Sequence, residues 1–340
     1  SSEKATPYLQ QARDMQAELL SESPDDRNRL QALGDTQNAL GRSLHRSQQF
    51  DAAKTAYEKA RDLRQQLTAK YPDDREVRRQ LANSIMNIGL VERDADDPQA
   101  AAKQLDSAQS IRRQLLAAGE ASPKLQRDLA MGAYNQGLLE AKHRQADQAM
   151  KFFSEAIDRF HELVAQDPRD LNLQRLLALC YRKAADVQAN PDAPGESLRF
   201  YELARDQFAK LADRNPDVTE YQSDLAGVYL NLAHVEEKQD PVAALSNADK
   251  SRSILADLVK QYPRDPQFRF NLAVSLGSLS ILQFTAKQRD AAQDNMQAAI
   301  EYLKKLVEEY PDNQEYQKEL EAIRQQWEKQ LSDSSNVNAA

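Results

Sequence analysis

Apolar side chains recur along this chain at one long interval. Leu33, Leu81, Leu129, Leu177, Leu225, Leu272 and Leu320 each stand early in an amphipathic run, at spacings of 48, 48, 48, 48, 47 and 48 residues. Four residues before each, from the second onward, comes another apolar residue: Val77, Leu125, Leu173, Tyr221, Phe268 and Tyr316. A second series is small: Ala60, Ala108, Ala156, Ala204, Ser251 and Ala299. Three and seven residues beyond most of these lie apolar pairs such as Leu63/Leu67, Ile111/Leu115, Ile254/Leu258 and Tyr302/Leu306. Offsets of three, four and seven place such side chains on one face of a helix. Pro24, Pro72, Pro123, Pro168, Pro216, Pro263 and Pro311 close the units, because proline cannot continue a helix.

Each period therefore predicts two antiparallel helices, A and B. In the second unit they fall at about 74–93 and 98–117, and short acidic or proline-containing turns such as 94–98 and 189–195 join them. One pair has more apolar face than it can bury alone, and stacking on the next pair covers the rest. The expected division is a lone helix B at 3–24, whose Ala12, Met15 and Leu19 match the B pattern, then repeats at 25–72, 73–123, 124–168, 169–216, 217–263 and 264–311. A capping helix at 312–331 follows, apolar at Tyr316, Leu320, Ile323 and Trp327, and then a disordered tail at 332–340. Because helix B at 3–24 has no A partner, the chain reads as a segment of a longer array.

Composition agrees with helix. Only 9 glycines and 13 prolines occur in 340 residues, and no window alternates in the manner of a strand. The fold class expected is all-α, without sheet. A net charge of −8 argues against nucleic acid, whose phosphates need clustered cations. The single cysteine, Cys180, excludes an intrachain disulfide and a CxxC metal site. No apolar run reaches the ~18 residues of a membrane span, and no signal peptide is visible after Ser1-Ser2. The sequence leaves the compartment open, with the cytoplasm favoured and room for a membrane anchor of the parent upstream.

In the first unit Leu40-Gly41, Leu44, Phe50-Asp51-Ala52-Ala53, Tyr57 and Ala60 fall on the signature spacing of a tetratricopeptide repeat, which the chain resembles. Gly89, Gly137, Ala185, Ala233 and Ser280 repeat its first small position, and Ala101, Ala149, Ser197, Ala244 and Ala292 its second. That family's unit is about 34 residues. Here about seven residues are added before the signature and about seven after it, each about two helical turns, so both helices lengthen on the same face. The resemblance covers roughly 3–331 and implies a right-handed α–α superhelix. The long form is similar to arrays found downstream of the kinase domain in planctomycete-type serine/threonine kinases. This implies a bacterial, non-catalytic scaffold that recruits substrates or regulators. The alternative is a standalone adaptor or assembly factor with no kinase. Kinase motifs are absent from the chain itself: His45-Arg46 and His143-Arg144 are not followed by Asp.

Candidate chemistry is sparse. Cys180 has Arg182 and Lys183 nearby in sequence, yet a free cysteine within a helix is most often a buried, unreactive thiol. His45, His143, His161 and His234 show no metal-ligand spacing, and no cofactor is expected. Glu92, Glu140 and Glu236 recur at one repeat position and read as a solvated or ion-paired stripe. Tyr57, Phe153, Tyr201 and Tyr302 read as core, as does Trp327. What remains is a binding surface. By the resemblance, A helices line the concave face, with Asn38, Arg42, His45 and Arg46 from the first unit and Asn83, Met86, Leu90 and Arg93 from the second. The third contributes Met131, Tyr134, Leu138 and Lys142, the fourth Arg182 and Asp186, the fifth Leu230 and His234, and the sixth Ile281 and Phe284. This predicts a groove basic at its N-terminal half and apolar at its far end, suited to a protein or peptide with an acidic group or free C-terminal carboxylate. Self-association through the uncapped first helix is the further expectation.

Overall fold

A computed structural model of the chain describes residues 2–189 and 194–337. Most of the turn expected at 189–195 and the last three residues of the expected tail lie outside those residues. Among the described residues there are fourteen α-helices and no strand. They form two compact units, Ser1–Arg169 and Asp170–Ala340.

The first unit holds α1 (Ser2–Glu22), α2 (Arg27–Arg46), α3 (Phe50–Lys70), α4 (Arg75–Asp94), α5 (Pro98–Ala117), α6 (Pro123–Lys142) and α7 (Ala146–Gln166). The second holds α8 (Leu171–Gln188), α9 (Gly195–Arg214), α10 (Thr219–Glu236), α11 (Pro241–Gln261), α12 (Pro266–Thr285), α13 (Arg289–Glu309) and α14 (Gln314–Val337). Within each unit, every even-numbered helix from α2 to α12 packs most closely on the one after it, and successive pairs pack in chain order.

Local chemistry sets where the helices start and turn. Asp26, Asp74, Ser122, Asp170 and Asp265 each accept an N–H of the first turn of α2, α4, α6, α8 and α12. Such a cap is worth about 1 kcal/mol. Pro123 is not a stop but the first residue of α6, where a missing N–H costs nothing and the fixed φ fits the helix. The turn within a pair is also repeated. Gln48, Asp96, Arg144 and Lys287 take φ between 57° and 65°. The next residue's N–H bonds back to the helix, as Gln49 N to Leu44 O at 3.0 Å and Gln288 N to Gln283 O at 2.9 Å. This left-handed residue followed by a six-to-one bond is a Schellman-type ending. The α10–α11 turn lacks it and closes instead through Asp240 N to Glu236 O at 2.8 Å. Leu225 and Ser251 are 26 apart where Leu33 and Ala60 are 27 apart, so the single 47-residue spacing arises in this turn.

The core is shared between pairs, as the stacking argument requires. Leu40 and Leu44 of α2, Ala53, Ala56 and Tyr57 of α3, and Ile88 and Val91 of α4 form one cluster. Ala226 of α10, Leu255, Leu258 and Val259 of α11, Leu272 and Leu276 of α12, and Ala299 of α13 form another. All six residues of the small series from Ala60 to Ala299 are buried. A Cβ at Gly41 would fall 2.7 Å from the Tyr57 ring, and at Gly137 2.7 Å from Phe153, so these positions must be bare for paired helices to approach.

The ends differ from the middle. Leu19 occupies the register position of Leu67, Leu115, Leu163, Leu211, Leu258 and Leu306, none of them more than 3% exposed, yet it is 46% exposed. Tyr8 and Met15 are exposed with it. At the other end α14 continues to Val337 and takes in six residues of the segment expected to be disordered. Serine, aspartate and asparagine are mediocre helix formers, but extending an existing helix requires no new nucleation.

Candidate functional site: the faces of the first helices

Adjacent first helices are joined by side chains one repeat plus one residue apart. Asn87 Nδ2 donates to Asn38 Oδ1 at 2.9 Å, and His45 Nε2 lies 2.8 Å from Asp94 Oδ2. Lys142 Nζ donates to the Arg93 carbonyl at 3.2 Å. In the second unit Arg175 Nε donates to Asp224 Oδ2 at 2.8 Å and Gln330 Nε2 to the Ile281 carbonyl at 3.3 Å. These rows run through the surface that the sequence pattern nominates for a partner.

That surface is less basic than the residue list suggests. Asp94 takes both His45 and Arg93, whose Nε donates to it at 2.8 Å. Burial alone would raise the Asp94 carboxyl, but His45 and Arg93 outweigh it and hold it at about 2. Lys142 is paired with Asp96 at 2.7 Å. Three of the expected basic side chains are thus partnered by two carboxylates, Asp94 at the end of α4 and Asp96 in the turn beyond it. Arg42 and Arg46, one turn apart on α2, are exposed and make no hydrogen bond or ion pair among the described residues. Asn83 faces inward and accepts from Arg112 Nη2 at 2.7 Å, and Met86 Sδ receives the same nitrogen at 3.3 Å. The Tyr134 ring rests on Phe153.

In the second unit, Asp186 accepts from Lys183 at 2.7 Å, the Tyr201 hydroxyl at 2.8 Å and Asn231 at 3.3 Å, and so is a structural hub. His234 meets Ser278 at 3.1 Å. The apolar end is also partly taken: Phe284 stands edge-on to Trp327 of α14 at 5.3 Å, with Arg289 over its ring. The cap helix therefore covers a residue that had been expected to face a ligand.

Cys180 is buried, and burial pushes its thiol well above the ordinary range. Its basic neighbours turn elsewhere, Lys183 to Asp186 and Arg182 to Asp224. Glu92 is buried and ion-paired with Lys54 at 3.0 Å, and the half-buried Glu236 accepts from Asn247 at 2.7 Å, so these two members of the glutamate stripe are partnered rather than solvated. No group of three or more metal-ligating side chains comes together among the described residues. No helix there is long and apolar enough to cross a membrane.

Sequence reasoning missed a pair of buried arginines. Arg64 Nη2 donates to Asp35 at 2.8 Å and Nη1 to the Gln80 carbonyl at 3.1 Å. Arg112 is fully buried, bonded to Asn83 and to Gln109 Oε1 at 3.1 Å, and desolvation lowers it to about 10. The available signal was an arginine four residues after the small series, where later repeats carry Phe160, Phe208, Leu255 and Leu303.

One cleft of about 280 Å³ opens on the first-helix face of the second unit. Arg182 of α8, Ser223, Asp224, Gly227 and Leu230 of α10, and Phe270, Asn271 and Val274 of α12 surround it, with Ser251 and Leu255 of α11 beneath.

Residues 270–313, which span most of α12, α13 and the turn beyond, match the family model described as Tetratricopeptide repeat. That segment, one helix pair of the array, is similar to a tetratricopeptide repeat. No curated protein matches the sequence. Among solved structures, the apo form of RapI is similar at 15% identity and a TM-score of 0.57, over 94% of this chain and 77% of that one. BtubC (BKLC) from P. vanneervenii is similar at 16% identity and a TM-score of 0.54, over 74% and 90%. The Rap conjugation gene regulator of the plasmid pLS20, solved with the Phr* peptide, is similar at 16% identity and a TM-score of 0.50, over 90% and 70%. At these identities the likeness establishes the fold alone: an all-α array of repeated helix pairs.

Proposed function

We propose that this chain is a non-catalytic protein-interaction scaffold whose first helices hold a peptide or protein segment bearing an acidic group. The observation that carries the reading is the contrast among the cations of the first unit. His45, Arg93 and Lys142 are spent on internal carboxylates. Arg42 and Arg46 are exposed with no such partner among the described residues. Two guanidiniums one turn apart can take a carboxylate in charge-assisted hydrogen bonds. The Phr* peptide held by a protein of the same fold supports a peptide as ligand. Asn38, Asn83 and Tyr134 act in this reading by fixing the helices that display the arginines, and Arg182 is the charged contact of the second unit.

The test is capture of displayed peptides by the immobilised chain, with and without Arg42→Glu and Arg46→Glu. The double variant should melt as the parent does and lose at least ten-fold in capture. Unaltered capture would move the site off this face. The finer reading, the recruiting region of a serine/threonine kinase, rests on the 48-residue form of the repeat. A standalone adaptor shares every feature of the fold, and the open reading frame that encodes the chain separates the two.

A second reading is self-association through α1, favoured by its exposed Tyr8, Met15 and Leu19. Sedimentation equilibrium should then show a dimer that Met15→Glu with Leu19→Glu abolishes. A monomer throughout the concentration range removes this reading.

A further inference from the structure

In three repeats an arginine crosses between the start of the first helix and the body of the second. Arg78 of α4 donates to Gln114 of α5 at 3.2 Å. Arg159 of α7 donates to Gln126 of α6 at 2.8 Å. Arg269 of α12 meets Glu309 of α13 with both terminal nitrogens, at 2.8 and 2.6 Å. Arg78 and Arg269 share one register position, three residues before the repeat leucine. Their acceptors stand six and ten residues after the small position of the second helix.

The pair α10–α11 keeps both acceptor positions, as Asp257 and Gln261, and lacks the donor. Gln222 stands in its place and turns back to the Pro216 carbonyl at 3.0 Å. A cleft of about 500 Å³ is left between α9 and α11, over the start of α10. Ala212, Leu225 and Ile254 make its apolar walls, and the charged side chains that line it, Asp213 and Asp257, are both acidic. Asp213 is an added acceptor, because the first three second helices carry Ala69, Ala117 and Ala165 at its register position. Neither aspartate has a hydrogen bond or ion pair among the described residues.

We propose that this cleft receives an arginine side chain from a partner protein, with its alkyl stem on Leu225 and Ile254 and its guanidinium at Asp257, Gln261 and Asp213. The repeats that fill the same place from within show which side chain fits it. An arginine stem covers apolar surface while its head stays polar. Its planar head offers five donors to acceptors on two helices, whereas a lysine ammonium is a point charge. The site uses none of the first-helix cations, so the inference goes beyond the scaffold reading and is tested apart from it.

The probe is N-acetyl-arginine-N-methylamide, titrated against the whole chain by ligand-observed NMR beside its lysine and citrulline counterparts. The arginine probe should bind saturably and about ten-fold more tightly than either. Asp257→Asn should weaken it about ten-fold, whereas Asp290→Asn, which removes a carboxylate of α13, should leave it unchanged. Gln222→Arg supplies the missing side chain from within, so it should melt no lower than the parent and bind the probe about ten-fold more weakly. Arg42→Glu with Arg46→Glu should not weaken the probe. No saturable binding, equal affinity for the lysine or citrulline probe, equal losses in Asp257→Asn and Asp290→Asn, or undiminished binding to Gln222→Arg would each overturn the proposal. Loss of the probe in the Arg42→Glu, Arg46→Glu variant would move the site to the first-helix face and overturn it as well. A parent dimer in sedimentation that Gln222→Arg dissociates would give the cleft to a second copy of the chain, again against the proposal.

Discussion

The same slot is filled in opposite ways at the two ends of the repeat series. Four residues after the small position, the first two pairs carry Arg64 and Arg112, and the last four carry Phe160, Phe208, Leu255 and Leu303. All six side chains are buried. The difference is made good across the pair: Asp35 and Asn83 stand where later repeats have Met131, Leu179, Gly227 and Val274. A buried guanidinium needs most of its hydrogen bonds met, as Arg64 and the two terminal nitrogens of Arg112 have them, and an apolar slot needs no such partner. Slot and cover therefore vary together, and the one cover reduced to glycine leaves a cleft.

The largest effect should come from breaking this matching. Phe208→Arg puts a guanidinium where the facing register position is Leu179, and should cost about 3–5 kcal/mol in denaturant unfolding. The reciprocal Arg112→Met, made together with Asn83→Met so that slot and cover change at once, should cost clearly less. A similar loss in both variants would mean that the arginines are intrinsic to the slot. Next, Leu177→Ala should cost about 2–5 kcal/mol, because that repeat leucine is 3% exposed. A silent result in thermal melts would break the register on which the comparison stands.

The two glycine types should respond to one substitution with opposite signs. Gly137→Ala drives a methyl into Phe153 and should destabilise by about 1–3 kcal/mol. Gly227→Ala meets no obstacle and should stabilise by up to about 1 kcal/mol. The smallest effect concerns Asp94. Its folded pKa, about 2, lies below the ~3.9 of an unfolded aspartate, so its contribution is full above pH ~4 and is lost as pH falls through about 2. The pair is partly exposed, which limits it to about 1 kcal/mol or less. The difference in Tm between the parent and Asp94→Asn should be present at pH 6 and shrink steadily toward pH 2.

Much of the candidate surface was legible in advance as positions but not as charges. Arg42 and His45 look equivalent in the sequence, three residues apart on one helix. Only packing shows that His45 has Asp94 within reach from the next repeat while Arg42 has no carboxylate partner among the described residues. Asn83 was placed on the binding face because its register fits, yet Arg112 from the second helix claims it. Both depend on which side chains from elements about 30 or 49 residues away arrive at one point.

The period, the helix pairs and the buried small residues were determined by the sequence alone. Helical periodicity is local, and a pattern repeated at 48 residues identifies its own register. Which cations are free, which glycine is bare for packing and which is bare over a cleft were decided by the tertiary structure. Those properties are differences between neighbours, and neighbours here come from separate repeats.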